Sequence, residues 1–138
     1  MPVVRNPQFY FKEGFCWNLI NGTKNTNDLK FRDSNKGVYD VGAMTLHSAL
    51  KYIPNFFILS ICNSNIMSRY TESFINFTLN FQVNDCKLIP IIIPNSEQLK
   101  EINNIYNRII DTKKNNDIIN LNSYEIEMSN HIRDLYII

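Results

Sequence analysis

The segment that most constrains the fold runs from Asn80 to Thr112, where the chain changes its period twice. Asn80-Phe81-Gln82-Val83-Asn84-Asp85 carries a polar turn signal, and Leu88-Ile89-Pro90-Ile91-Ile92-Ile93 is an apolar run of strand length that stops at Pro94. From Ser96 the apolar residues recur at helical spacing instead: Leu99, Ile102, Ile105, Tyr106, Ile109 and Ile110 fall on one face over 96–112. Asn95 stands where an N-cap belongs, with Gln98 three residues on, and Lys113 and Lys114 complement the carbonyl end of the helix dipole. The pattern predicts a buried strand over 88–93 and an amphipathic helix over 96–112. A chain with both combines sheet and helix, and the apolar stripe needs a partner, either the domain's own core or another chain.

The flanking segments extend this reading. Residues 9–20 are aromatic and strand-like, Asn21-Gly22 signals a turn, and 22–28 form a polar loop. A short strand is expected over 29–32, a second turn over 33–37 and a further strand over 38–44. Pro54-Asn55 opens a helix through Cys62, Asn63-Ser64-Asn65 interrupts it, and 66–74 continue as a second short helix. Residues 115–122 read as a polar linker, and 123–137 as a closing amphipathic helix through Ile126, Ile132, Leu135 and Tyr136. The expected architecture is α/β (α+β): a small mixed sheet with short helices, then a long amphipathic helix and a closing helix. Residues 1–94 form the first unit and 95–138 a helical spacer and closing region.

Size and composition narrow the class. A chain of 138 residues is one domain, or one domain with a helical tail, and buries a core without staples. No apolar run approaches the roughly 20 residues that cross a bilayer, and Met-Pro-Val-Val-Arg-Asn is not an apolar signal segment, so a cytoplasmic protein is expected. Cys16, Cys62 and Cys86 are odd in number and unevenly spaced, which argues against a disulfide framework and a zinc site. His47 and His131 have no nearby Cys or His partner. With 21 Asn and 20 Ile but only two Ala, the composition reads as AT-rich codon usage, so a single Asn carries little weight. The net charge of +1 does not announce nucleic acid, but it is unevenly spread. Residues 1–93 hold nine Lys/Arg against six Asp/Glu (+3), and residues 94–138 hold five against seven (−2).

No catalytic constellation assembles from the sequence. Asn6-Pro7-Gln8-Phe9 is one residue away from the (Asn/Asp/Ser)-Pro-Pro-(Tyr/Phe) motif with which adenine methyltransferases hold a flipped base. It lacks the second proline, has no Gly-rich cofactor strand before it, and reads more simply as the chain's approach to a strand. There is no Gly-rich phosphate or dinucleotide loop and no His-Glu-x-x-His pair. Lys12-Glu13 and Lys100-Glu101 do not supply a nuclease core.

Several blocks, in order, carry a resemblance. Tyr10-Phe11-Lys12-Glu13-Gly14-Phe15-Cys16-Trp17 is similar to a "yF-eGi-W" opening; Leu29-Lys30-Phe31-Arg32 to an "fs-R" block; and Gly37-Val38-Tyr39-Asp40-Val41-Gly42 to "ggvfd-g". Leu59-Ser60-Ile61-Cys62-Asn63-Ser64 is similar to "allNS". Thr78 to Asp85 with Leu88-Ile89-Pro90-Ile91 is similar to "pt-n-qvgdi-lPi". The tail through Leu135-Tyr136-Ile137-Ile138 is similar to a closing helix ending "lYgL", with Ile137 where that Gly stands. Together the chain resembles the C-terminal target recognition domain of adenine-specific DNA methyltransferases of restriction–modification and phage-defence (BREX) type. It also resembles the end of such domains in the specificity subunits of type I restriction systems, which close them with an "ipiP-P-EQ-I" phrase like that from Pro90 to Ile102.

The resemblance implies a module that reads DNA sequence and is not itself an enzyme. The entire catalytic half is missing, S-adenosylmethionine is expected to bind that half and not this chain, and the chain is a split subunit, a gene remnant or an excised piece. The implied partners are double-stranded DNA and a methyltransferase catalytic domain or subunit. Lys24, Lys30, Arg32 and Lys36 cluster around the two early turns, and Arg69 lies on the short helix. Lys and Arg hold phosphates, and Arg also reads guanine. Asn25, Asn27 and Asn35 suit adenine edges, and Asn80 and Gln82 join the candidates, although with Asn84 they equally suit the capping of a turn. Trp17, Phe31, Tyr39 and Phe77 read as core, and Gly14, Gly42 and Pro90 as turn and strand-end residues. The rival expectation is a small protein–protein interaction or structural domain with no DNA role, which the near-neutral charge favours.

Overall fold

Aromatic side chains crowd Phe15–Asn18, and this segment becomes the central strand of the sheet. The structure, a computed structural model, describes residues 6–19, 30–34, 36–39, 43–76, 78 and 80–137. Strand β1 (Phe15–Asn18) pairs with β2 (Arg32–Asp33) on one side and with β3 (Ala43–Leu46) on the other, in the order β2-β1-β3. Phe15 faces Asp33 and Leu46, and Cys16 faces Arg32 and Thr45. All described pairings are antiparallel, where the sequence leads to a mixed sheet. The first strand is shorter than its aromatic run because Pro7–Phe9 forms a 3-10 turn behind a left-handed Asn6.

Glycine is required at position 14 for space. A Cβ there would collide with the Leu46 carbonyl oxygen and lie 2.6 Å from His47 Nδ1. The Gly14 carbonyl in turn accepts from the Ser34 N–H at 2.9 Å, which extends the β1–β2 junction.

Helix α1 (Asn55–Cys62) is apolar on every side, and Phe57 to Cys62 are all buried, as expected of a helix at the centre of a core. Ser64 caps α2 (Asn65–Tyr70) by accepting from the Met67 N–H, and the chain continues through a wider π-helical turn over Thr71–Ile75. The short helix α3 (Val83–Cys86) follows, then α4 (Ser96–Lys114) and α5 (Ile118–Tyr136) as an antiparallel hairpin. The capping box foreseen for α4 is present: Asn95 Oδ1 accepts from Gln98 N–H and Gln98 Oε1 from Asn95 N–H, both at 2.9 Å. The α4 stripe folds onto the chain's own core. Ile102, Ile105 and Ile109 are buried in one cluster with Met128 and Ile132 of α5, Phe57 and Ile61 of α1, and Trp17 of the sheet.

Two expectations are corrected. Residues 88–93 form no strand: Leu88 lies in a turn and is exposed, Ile91 and Ile92 are half-buried in chain without regular structure, and Ile93 is exposed. Pro90 and Pro94 remove two N–H donors that a ladder would need, and the Pro90 carbonyl is taken by the Tyr136 hydroxyl at 2.6 Å. The linker foreseen over 115–122 is only the turn 115–117. Asn116 adopts the left-handed conformation (φ 55°), its N–H bonds the Lys113 carbonyl and the Asp117 N–H bonds the Thr112 carbonyl, a Schellman closure of α4. Asp117 then caps α5 at once by accepting from the Asn120 N–H. Among the described residues no helix is long and apolar enough to cross a membrane.

Candidate functional site

Strand β2 is held at the sheet edge by two side chains from the helices. Asn63, in the corner between α1 and α2, accepts the Phe31 N–H at 2.8 Å and donates its Nδ2 to the Phe31 carbonyl at 2.9 Å, so one amide serves both backbone groups of a buried residue. Tyr106 of α4 donates its hydroxyl to Asp33 Oδ2 at 2.8 Å. Between this edge and the helices lies a cleft of about 490 Å³, within the usual range for ligand sites. Its floor is apolar, from Leu59, Ile109, Ile110 and Met128. Lys30 and Lys113 are among its lining residues, as are Asp33 and Glu125; Arg32 also lines it, with its guanidinium bonded to Asn18. Lys113 and Glu125 are already paired at 3.0 Å.

A second set of polar residues gathers where β1 ends. Arg32 donates its Nη2 to Asn18 Oδ1 at 3.0 Å, which gives the guanidinium a fixed direction on the exposed surface. Beside it, the Phe81 N–H bonds the Leu19 carbonyl at 3.1 Å, and Trp17 Nε1 donates to the Phe81 carbonyl at 2.8 Å. These bonds pin residues 80–82 to the end of the central strand. The Phe81 ring is buried against Trp17 and Phe31, while Asn80 and Gln82 on either side of it are exposed. The turn behind them is built by Asn76, whose Nδ2 donates to the Asn80 carbonyl at 2.9 Å, and by Asp85, whose Oδ2 accepts the Gln82 N–H at 2.8 Å. Gln82 is thus also the N-cap residue of α3, as its turn-capping reading allowed.

The other candidates are spread out. Lys36 has a left-handed backbone (φ 50°) and pairs with Glu13 at 2.8 Å, which holds the Glu13 carboxyl below its ordinary range. Arg69 is exposed in the last turn of α2, four residues beyond the cleft-lining Asn65 and so on the same face, about 6 Å further along the axis. Lys24, with Asn25, Asn27 and Asn35, lies outside the described residues. Lys30 and Arg32 both line the cleft, the Arg32 guanidinium is fixed to Asn18 at the end of β1, and the Phe81–Leu19 bond holds the chain between Asn80 and Gln82 at the next residue. The structure adds Asn18 and Asn63, which sequence reasoning did not single out for a site. Nothing marks Asn18 among 21 Asn, whereas Asn63 stood in a recognisable Asn-Ser break between two helices.

The chemistry these groups offer is charge and hydrogen bonding. Burial pushes the thiols of Cys16, Cys62 and Cys86 up, Cys86 to about 12, so all three stay protonated at neutral pH. Burial, reinforced by the bond to Asp33, likewise raises Tyr106 and keeps it a donor. His47 Nδ1 lies 2.7 Å from the Glu13 carbonyl oxygen, and His131 Nδ1 3.1 Å from that of Glu127. Among the described residues no three His, Cys, Asp or Glu side chains gather as a metal site. No family model matches the chain, and no curated protein matches it.

Proposed function

We propose that the chain is the DNA sequence-recognition module of an adenine-specific DNA methyltransferase of a restriction–modification system, acting in the cytoplasm with a separate S-adenosylmethionine-binding catalytic subunit. The observation that carries the reading is the convergence at the end of β1. Arg32 bonds Asn18, and the N–H of Phe81, between the exposed Asn80 and Gln82, bonds the Leu19 carbonyl, so segments far apart in sequence attach to two successive residues at the end of β1. An oriented Arg and exposed amides are residue types that read base edges, and the exposed Lys30 and Arg69 would serve elsewhere on the surface as phosphate contacts. The residues that carry the family resemblance also support it, because they build the frame behind this end of the strand. Gly14 and Trp17 set the central strand, Asn63 clamps Phe31, Ser64 caps α2 and Asp85 caps the 80–82 turn.

The test is titration of the whole chain against mixed-sequence duplex DNA at low and moderate salt, beside the K30E/R32E variant. Binding that weakens with salt is expected, with a log–log slope that falls by roughly 0.9 for each phosphate contact removed. A folded chain that ignores duplex DNA at low salt, or a double variant that binds as tightly as the parent, refutes the reading.

One observation favours the second reading, a protein-interaction domain. Ile119 and Ile126, seven residues apart on α5, are 84% and 61% exposed, two large apolar side chains uncovered on a helix face otherwise made by Asn122, Ser123 and Asn130. Under this reading I119E/I126E changes association with a protein partner and leaves DNA titration unaltered.

A further inference from the structure

Bonds between elements surround the cleft at the β2 edge. Asn63, between α1 and α2, holds both backbone groups of Phe31 at 2.8 and 2.9 Å, and Tyr106 of α4 donates to Asp33 at 2.8 Å. Lys113 of α4 pairs with Glu125 of α5 at 3.0 Å, and the Asn65 N–H of α2 donates to Ser129 Oγ of α5 at 3.1 Å. All of these residues line the cleft, so its walls are set before any ligand arrives, which reduces the ordering cost of binding. The same bonds engage the polar wall groups with one another. Ser60 Oγ is likewise taken up by the Phe56 carbonyl at 2.7 Å, and the Arg32 guanidinium by Asn18. The remaining side-chain charges balance, Lys30 and Lys113 against Asp33 and Glu125, and all four residues are exposed. The apolar lining lies deeper: Leu59, Ile109 and Met128 are buried and Ile110 is half-buried.

From this geometry we infer that the cleft is a binding site for a small, uncharged, apolar molecule with a ring-sized hydrocarbon body. With the wall groups matched among themselves and the charges balanced, what the concavity of about 490 Å³ offers a ligand is apolar surface. A preformed hollow floored by Leu, Ile and Met takes a hydrocarbon body without any rearrangement of polar partners. A carboxylate would meet Asp33 and Glu125 as well as the lysines, and an ammonium the lysines as well as the carboxylates, so neither regains what it gives up in hydration. The inference goes beyond the DNA reading and does not depend on it.

The probe is cyclohexanol, with cyclohexanecarboxylate and cyclohexylammonium as congeners that keep the ring and change only the charge. Binding is followed by amide chemical shifts of the isotopically labelled whole chain. Cyclohexanol is expected to shift Phe31, Asn63, Ile110 and Ser129 saturably at about millimolar concentration, and each charged congener to bind at least about tenfold more weakly. I110W fills the floor and abolishes binding. Should I110W fail to fold, N65W, at an exposed lining position, serves as the blocking variant. A charged congener that binds as tightly as the alcohol, shifts that do not saturate or that centre elsewhere, or binding that survives the folded blocking variant each overturns the inference. Because I110W changes none of the residues proposed to touch DNA, its DNA titration stays at the parent level, so failure of the cleft and failure of the DNA reading are seen separately.

Discussion

Replacement of Asn63 by Ala tests how the sheet edge is attached to the helices. The Asn63 amide makes two bonds to one residue, at 2.8 Å from the Phe31 N–H and 2.9 Å to its carbonyl, and Phe31 itself is only 5% exposed. Each bond contributes about 0.5–1.5 kcal/mol net, and a backbone group left buried and unpaired costs about 1–3 kcal/mol. Asn63 is exposed, so water reaches part of the vacated space and the two full penalties are not both incurred. The expected cost is therefore about 2 kcal/mol, or a melting temperature lowered by roughly 6–8 °C for a chain of this length. Urea unfolding should show a lower midpoint with an unchanged m-value, because the folded state remains as compact. N63D sharpens the test: its carboxylate still accepts the Phe31 N–H but faces the Phe31 carbonyl with negative charge, so at neutral pH it costs more than N63A. If N63A lies within about 0.5 kcal/mol of the parent, the clamp is not what holds β2 and the argument fails.

Four further outcomes follow from the structure. Gly14→Ala places a Cβ against the Leu46 carbonyl and 2.6 Å from His47 Nδ1, and is expected to lose about 1–3 kcal/mol in urea unfolding; an unchanged midpoint would show that the β1–β3 junction yields freely. The three cysteines, all buried with thiols pushed up by that burial, should resist a thiol reagent at pH 8 until denaturant is added, and rapid native labelling would contradict their placement. Glu13 and Asp117 are held below the ordinary carboxylate range, by Lys36 and by Asn120 respectively, so their contribution is present at neutral pH and fades as pH falls through the lowered values; E13Q and D117N should each flatten the acid limb of stability against pH, and an identical limb would refute the linkage. A chain ending at residue 94 loses Ile102, Ile105, Ile109, Met128 and Ile132 from the cluster that covers Phe57 and Trp17, and is expected to give no cooperative melting transition; a sharp one would make 1–94 an independent unit.

The helices were legible because their signals are local. Asn95 and Gln98, the stripe from Leu99 to Ile110, and Pro54-Asn55 each state a boundary or a face within a few residues, and the structure has a helix at each. The run 88–93 misled for the same reason: apolar content of strand length says nothing about whether a neighbouring strand is there to pair, and two prolines in seven positions already withheld the donors. The start of α5 was missed because Asp117 and Asn120 sit in a tract so rich in Asn that it reads as linker. A single cap geometry turned that tract into helix.

The candidate edge was legible only in part, since its parts meet through contacts that cross the whole chain. Arg32 and Lys30 were marked by charge near a turn, and Asn80 and Gln82 by their place in a turn motif, but nothing local says that residue 81 returns to residue 19. That return depends on Trp17, whose indole N–H needs an acceptor once the ring is fully buried and finds the Phe81 carbonyl. Phe81 is buried while its two polar neighbours, Asn80 and Gln82, stay exposed, and the Leu19 carbonyl that holds it follows the Asn18 that Arg32 reaches. The contrast with Lys36 follows from the same frame: its charge is spent on Glu13 at 2.8 Å, whereas Arg32 is oriented by a neutral amide and keeps its full positive charge for whatever approaches the edge.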